Sequence, residues 1–184
     1  MAVSTLTYER LALEDPEGRW ELYRGNLRGK PNMTMPHNSA IASLHAQLVR
    51  QVDDRIYQVR SNTGRVSRPE ESYLIPDVMV VPIELLRGMA ATPHELEQFA
   101  GPLPFVAEVW SASTGDYDVD TKIPEYRARG DAEIWRIQPY ERTVTAWRRQ
   151  EGGEYLTTIH AAGAVPLVAL PGVIVDIGRM LESY

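Results

Sequence analysis

The sequence contains no cysteine, which excludes disulfide bonds and any chemistry that depends on a thiolate. It also has no apolar run long enough to cross a membrane. The first 20 residues lack the basic segment followed by an apolar stretch that is typical of a secretory signal. Absence of cysteine fits a reducing compartment. We therefore expect a soluble, cytoplasmic protein with no membrane partner.

Lysine is almost as scarce as cysteine. Of the 19 basic residues, only Lys30 and Lys122 are lysines. A genome rich in G and C would produce such a bias, but the scarcity also makes each lysine a candidate for a role that arginine cannot fill. The formal net charge of −6 argues against a surface that binds nucleic acid as a whole. Local recognition of phosphate through a bound cation stays possible.

The length and composition indicate one globular domain that spans residues 1–184, with 43% hydrophobic and 24% charged residues. Residues 20–28 are predicted to form a hairpin that turns at Gly25. Apolar residues at spacings of three and four predict a helix over residues 38–57, which Asn38 or Ser39 would cap. A second helix is predicted over residues 120–129, with Gly130 as its left-handed cap.

Runs of apolar and β-branched residues predict strands at 57–60, 73–81, 105–110, 134–137, 143–147 and 155–159. The segment 83–98 has no clear pattern and is compatible with a short helix in a loop. The order of hairpin, helix, strands, helix and strands predicts an α/β fold with a mixed sheet.

Two acidic residues occur where buried strands are predicted. The strand at 105–110 is apolar on both faces except for Glu108, as expected of a central strand. Asp77 interrupts the preceding strand in the same way. An unpaired buried carboxylate is costly, and two adjacent carboxylates repel each other unless a cation lies between them. Carboxylates, waters and substrate phosphates are the ligands that Mg²⁺ prefers.

Structural roles compete with the functional ones. Asp77 follows a proline and would then only begin a turn. Glu108 would then lie on an edge strand or pair with Arg127. Lys122, in the first turn of the second predicted helix, would then be an ordinary surface residue. The nearby acids at 116, 118 and 120 lack the glycine and terminal glutamate of a calcium loop, so we reject a calcium site.

Several motifs occur together and in order: ELYRGNL at 21–27, His37 before the long helix, Pro-Asp-Val at 76–78, EVWSAST at 108–114, Tyr117-Asp118, Lys122, Tyr126, Gly130 and Glu133–Trp135. This arrangement, over roughly residues 6–178, resembles the “putative restriction endonuclease” family of the PD-(D/E)XK nuclease superfamily. Many of these nucleases carry the lysine two residues after the second acid, where this sequence has Trp110. In the branch that this chain resembles, the helix supplies the lysine.

The resemblance implies a restriction-endonuclease-like core with a mixed central sheet flanked by helices, an N-terminal hairpin and C-terminal antiparallel strands. It also implies that Mg²⁺ or Mn²⁺ is held by Asp77, Glu108 and the backbone carbonyl of Val109. Lys122 would act on the attacking water or on the phosphate. Glu21 and His37 would complete the catalytic set, although Glu21 would alternatively pair with Arg24 or Arg28 and His37 would cap the helix.

Three functions follow from these residues. The first is a metal-dependent endonuclease that hydrolyses DNA, acting as a homodimer. The second is a catalytically silent protein of the same fold that serves as a binding or structural partner. The third is a phosphodiesterase acting on RNA or on a small nucleotide. Arg24, Arg28, Arg65 and Arg68 are candidates for contacts to phosphate.

Overall fold

The structure is a computed structural model that describes residues 2–31, 33–68, 71–89, 95–113 and 115–182, with only the backbone of residues 118 and 119. Thr114 and the side chain of Asp118, both part of the predicted motifs, lie outside the described residues. The fold is a mixed α/β arrangement built on two principal sheets. No helix within the described ranges is long and apolar enough to cross a membrane.

The N-terminal part of the chain builds the smaller sheet. After α1 (Thr5–Glu14) and a short 3-10 turn (Pro16–Gly18), strands β1 (Trp20–Tyr23) and β2 (Asn26–Gly29) form the predicted hairpin. Its two turn residues, Arg24 and Gly25, have φ values of 47° and 77°, which suit the right-handed twist of paired strands. The complete strand order is β2-β1-β5-β4-β7, with β4 (Arg65–Arg68), β5 (Ser72–Leu74) and β7 (Gln98–Phe99).

The larger sheet has six strands in the order β11-β10-β9-β8-β6-β3. Its strands are β3 (Tyr57–Ser61), β6 (Val78–Pro82), β8 (Phe105–Val109), β9 (Glu133–Gln138), β10 (Thr143–Arg149) and β11 (Tyr155–His160). Strands β8 and β9 pair in parallel and the other neighbours are antiparallel, so the predicted mixed sheet is confirmed. All five residues of β8 are buried, as expected of a strand covered on both faces.

The two faces of this sheet contact different helices. One face packs against α2 (Met35–Val49) and the C-terminal segment, which contains β12 (Ala164–Pro166), β13 (Ile174–Asp176) and α5 (Ile177–Met180). The other face packs against Ile123 and Tyr126 of α4 (Ile123–Arg129). A π-helical turn (Asp118–Lys122) leads into α4, and Gly130 ends it with φ of 83°, as predicted. The ambiguous segment contains α3 (Ile83–Met89).

Helix α2 differs from its prediction at both ends. It begins at Met35 with Thr34 at the N-cap position, so neither Asn38 nor Ser39 is the cap. Pro36 lies in the first turn, where its fixed φ favours a helix start and its missing N–H costs nothing. The helix ends at Val49. The apolar spacing that continued to Ile56 was misleading, because Ile56 is 52% exposed and Tyr57 already pairs with β6.

The predicted strand over residues 73–81 is two strands. Its first part, β5, belongs to the smaller sheet, and its second part, β6, belongs to the larger one. Residues 75–77 are the crossing between them, where Pro76 has no N–H to donate to a ladder. Ile75 lies outside both sheets, so its backbone groups bind side chains. Its carbonyl accepts from Lys30 and Lys122, and its amide donates to Glu21. This crossing positions the site described below.

Candidate active site

Asp77 and Glu108 line the same cleft, where the chain enters β6 and near the end of β8. Strands β6 and β8 pair with Val78 opposite Ala107, and the next residues along the two chains are Asp77, in the crossing before β6, and Glu108 in β8. The amide of Val109, the residue after Glu108 in β8, donates a hydrogen bond to the Asp77 carboxylate. Asp77 and Glu108 are each only 1% exposed. Two buried carboxylates this close require positive charge around them.

The Asp77 carboxylate is surrounded by donors. Lys30 Nζ lies 2.7 Å from Oδ1, and the Val109 amide donates to Oδ2 at 2.7 Å. His37 Nε2 is 3.2 Å from Oδ2. Burial alone would raise the pKa of Asp77, but the Lys30 ammonium, His37 and Lys122 hold that pKa well below its usual range. Asp77 is therefore an anion at every physiological pH.

The Glu108 carboxylate contacts α4 and the turn before it. Lys122 Nζ lies 3.2 Å from each Glu108 oxygen, and the Tyr126 hydroxyl donates to Oε1. Lys122 is 3% exposed and is the last residue of the π-helical turn. Arg127 lies over the ring of Tyr155, so the alternative pairing of Glu108 with Arg127 is wrong. Glu108 belongs to a buried central strand, which also excludes the edge-strand alternative.

Glu21 joins the two acids from the smaller sheet. One oxygen, Oε1, accepts the Ile75 amide at 2.7 Å and lies 2.9 Å from Lys122 Nζ. These partners exclude the alternative in which Glu21 pairs with Arg24 or Arg28. Lys122 thus lies between two carboxylates, Glu21 and Glu108, and it also donates to the Ile75 carbonyl at 3.3 Å. An ammonium held by four oxygens from three residues has a defined position.

His37 is fully buried in the first turn of α2. Its Nε2 faces Asp77, and its Nδ1 is 3.3 Å from the Asn38 side-chain oxygen. Since the N-cap residue is Thr34, His37 does not cap the helix. The imidazole contacts Oδ2 of Asp77 and fixes the orientation of that side chain.

Lys30 was not among the residues predicted for the site. Its Nζ donates to the Ile75 carbonyl at 2.8 Å in addition to its contact with Asp77. The available signal was the scarcity of lysine, because both lysines of this chain are buried in this one cluster. The sequence places Lys30 far from Asp77, and only the pairing of β1 with β5 brings them together.

The cluster lies in a narrow cleft with a free volume of about 10 Å³, lined by Glu21, Arg28, Lys30, Pro31, Met33, Asp77, Glu108, Val109, Tyr117 and Lys122. Arg28 lies over the ring of Tyr117, 3.9 Å from its centroid. Burial, then the Glu21 carboxylate, raises the pKa of Tyr117, which stays a neutral phenol. Of the other arginines proposed for phosphate, Arg65 donates to Tyr8 and Arg68 binds Glu125.

Glu125 attaches α4, and with it Lys122, to the smaller sheet. Its carboxylate accepts two hydrogen bonds from Arg68, at 2.8 and 3.0 Å, and one from Ser72 at 2.7 Å. Burial raises the pKa of Glu125, but the hydrogen bonds from Arg68 and Ser72 outweigh burial and lower it. The ionised form is therefore the one that stabilises the fold.

We predict that Glu125→Gln lowers the free energy of unfolding by about 1–3 kcal/mol at pH 7, because a charge-assisted pair is lost. A depressed native pKa stabilises the fold above the unfolded pKa, and this stabilisation disappears as the pH falls through the native value. The difference between wild type and variant should therefore shrink below about pH 4.5, the ordinary pKa of glutamate. Urea unfolding at pH 7 and pH 3.5 measures it, and an equal difference at both values would contradict the assignment.

The donor chemistry of the cleft suits a hard divalent cation, because three carboxylates converge there. Within the part of the chain that the structure describes, however, no group of three or more histidine, aspartate or glutamate side chains is arranged as a set of metal ligands. In the structure, Lys30 pairs with Asp77, and Lys122 lies between Glu21 and Glu108. A cation that binds Asp77 at Oδ1 would lie against the Lys30 ammonium, which is 2.7 Å from that oxygen.

Comparisons with known proteins give one consistent result. Residues 6–178 match the Uma2 family, described as “Putative restriction endonuclease”. Among solved structures, the chain is similar to a protein from Anabaena variabilis described as a putative nuclease belonging to DUF820. The two share 19% sequence identity with a TM-score of 0.71, over 90% of each chain. That likeness establishes a restriction-endonuclease-like fold. No curated protein matches the sequence.

Proposed function

This chain belongs to the Uma2 family of restriction-endonuclease-like proteins, and from that premise we propose that it is a metal-dependent endonuclease that hydrolyses phosphodiester bonds in DNA. One observation carries the proposal. Asp77, Glu108 and Lys122, which come from a strand crossing, a central strand and the turn that leads into a helix, line one cleft. Burying two carboxylates and an ammonium group costs folding free energy. Such clusters occur preferentially at functional sites, which favours a catalytic role here.

Asp77 and Glu108 are the residues that would hold Mg²⁺ or Mn²⁺, together with the backbone carbonyl of Val109. A bound divalent ion supplies an acidified water and polarises a phosphate oxygen. The net charge of the cluster also suits a divalent ion. Three carboxylates and two ammonium groups leave one net negative charge, so a divalent ion makes the cluster positive by one. That charge matches the single negative charge of a phosphodiester.

The other residues have supporting roles in this proposal. Lys122, held by Glu21 and Glu108, presents a fixed ammonium that stabilises the charge developing on the phosphate during hydrolysis. Glu21 positions Lys122 through one oxygen. His37 orients the Asp77 carboxylate through its contact with Oδ2. Each of these groups is already hydrogen-bonded before a substrate arrives, so little reorganisation accompanies the reaction.

A second function is favoured by a specific observation. The contacts of Lys30 and Lys122 already neutralise most of the carboxylate charge without any added ion. That arrangement suits a nuclease fold that has become a binding or structural partner. A measurement of metal binding distinguishes the two functions, because the endonuclease requires a divalent ion and the catalytically silent protein does not. Assembly as a homodimer stays a prediction.

The direct test is incubation of purified protein with supercoiled plasmid in MgCl₂ or MnCl₂. Endonuclease activity would convert supercoiled DNA to nicked and linear forms, and EDTA would stop the conversion. Single-stranded DNA and RNA of the same sequence, assayed in parallel, identify the preferred substrate. Absence of cleavage with every metal and substrate, in protein shown by circular dichroism to be folded, would support the silent function instead.

Arg28 is the residue that we expect to bind substrate phosphate, because its guanidinium lies at the cleft and is held over Tyr117. We predict that Arg28→Ala weakens DNA binding about tenfold in 0.1 M salt, and that it reduces the slope of log K against log salt by about one. Fluorescence anisotropy in CaCl₂ or EDTA at several salt concentrations measures both. Arg55→Ala is a suitable control, because Arg55 forms an exposed pair with Asp53. An unchanged slope in Arg28→Ala would exclude the phosphate contact.

A further inference from the structure

Lys30 is a buried cation that the proposed catalytic roles do not use. Its side chain is 3% exposed, and its Nζ is 2.7 Å from Asp77 Oδ1 and 2.8 Å from the Ile75 carbonyl. Lys122 contacts a different pair of acids, Glu21 and Glu108. The two lysines therefore divide the three carboxylates between them, and Asp77 belongs to Lys30.

This contact explains how Asp77 remains charged without an added cation. A carboxylate that is 1% exposed should be either protonated or paired. Lys30 provides the nearest opposite charge, and His37 and the Val109 amide provide hydrogen bonds only to the other oxygen. Lys30 thus contacts Oδ1, whereas His37 and the Val109 amide contact Oδ2.

We propose that Lys30 is the internal counter-ion of Asp77 and that it sets the affinity of the cleft for a divalent cation by competing for the same carboxylate. The inference rests on the proposed function, because it requires Asp77 to be a metal ligand. The physical reason is direct: an ammonium and a divalent ion on one carboxylate repel each other strongly in a buried site. Metal binding then requires Lys30 to leave Asp77 while it keeps the Ile75 carbonyl.

The test is calorimetric titration of MnCl₂ into the full-length protein in the absence of DNA. Lys30→Met removes the charge and keeps a side chain of similar length. We expect it to bind Mn²⁺ at least tenfold more tightly than wild type. Lys30→Arg, which retains the charge, should stay within about threefold of wild type. Thermal unfolding gives a second readout: without metal Lys30→Met should melt below wild type, and excess MnCl₂ should close the gap.

Arg28→Met is the matched control. Arg28 lines the same cleft and carries the same charge, but it contacts the Tyr117 ring and not Asp77. Its loss should change Mn²⁺ affinity by less than threefold. If both Arg28→Met and Lys30→Met tighten binding equally, general charge is responsible and the specific role of Lys30 is overturned.

The remaining outcomes separate the two proposals. If wild type binds Mn²⁺ and Lys30→Met binds it no more tightly, the counter-ion role is overturned while the proposed function stands. If neither protein binds Mn²⁺, both proposals are overturned. If Lys30→Met is unfolded without metal, recovery of its native circular dichroism in MnCl₂ supports the counter-ion role. Failure to recover, together with no tighter binding in Lys30→Gln, overturns it.

Discussion

Replacement of Lys122 by methionine is expected to reduce plasmid cleavage by at least about 10²–10³-fold, the usual cost of removing a group that stabilises transition-state charge. The Lys122 ammonium has a defined position, because it contacts Glu21, Glu108 and the Ile75 carbonyl. Methionine fills a similar volume and provides no charge. Arginine should not restore activity, since a planar guanidinium cannot occupy the site of a compact ammonium.

Asp77→Asn should also reduce cleavage by at least about 10²–10³-fold, but for a different physical reason. The amide is isosteric but uncharged, so both metal binding and the pairing with Lys30 are lost. Arg10→Met is the matched control, because its side chain is 79% exposed on α1 and pairs only with Glu14 among the described contacts. Full activity in Lys122→Met or Asp77→Asn, with unchanged circular dichroism, would remove the proposed site and would indicate a contaminating nuclease.

Glu133→Ala is expected to produce the largest loss of stability, about 3–5 kcal/mol, because it breaks a buried charged network. Glu133 is fully buried, and its Oε1 accepts hydrogen bonds from the Trp135 indole at 2.9 Å and from Arg148 at 3.0 Å. Its Oε2 accepts the backbone amides of Val168 and Ala169 at 2.7 and 3.3 Å. One carboxylate therefore connects β9, β10 and the C-terminal segment.

This loss should lower the melting temperature by roughly 6–20 °C for a chain of this size. Glu141→Ala removes an exposed acid from the loop between the same two strands, and its effect should lie within about 0.5 kcal/mol. The double variant Glu133→Ala with Arg148→Met should cost less than the sum of the single changes, because no unpaired Arg148 remains. Additive losses in urea unfolding would show that the two residues act independently.

Glu133 also shows that a residue of a sequence motif need not belong to the candidate active site. It occurs in a motif of the resemblance together with Trp135, but it pairs in register with Phe105, at the opposite end of β8 from Glu108. Its contacts connect strands and a loop and do not reach the cleft. The structure places both acids on neighbouring strands, β8 and β9. Only the register distinguishes the acid that stabilises the fold from the acids in the cleft.

Local patterns predicted much of what surrounds the cleft. Alternation along residues 105–110 placed Glu108 on the face of Val106, and that face packs against α4 as the structure has it. The hairpin, the central strand and the Gly130 cap follow from short-range rules and were confirmed. The end of α2 and the division of residues 73–81 were not predicted, because a helical spacing and an apolar run carry no information about which sheet receives the chain.

By itself, the sequence determined which residues are acidic or basic in apolar surroundings, which face of its strand Glu108 occupies, and the family to which the chain belongs. Tertiary structure alone decided that Lys30 would contact Asp77 and that Glu21 would hold Lys122. Those contacts join residues 47 and 101 positions apart, through the pairing of the hairpin with β5 and the crossing at residues 75–77. Periodicity reports only on neighbours along the chain, whereas a buried charge is compensated by whichever residue the assembled sheets bring within hydrogen-bonding distance.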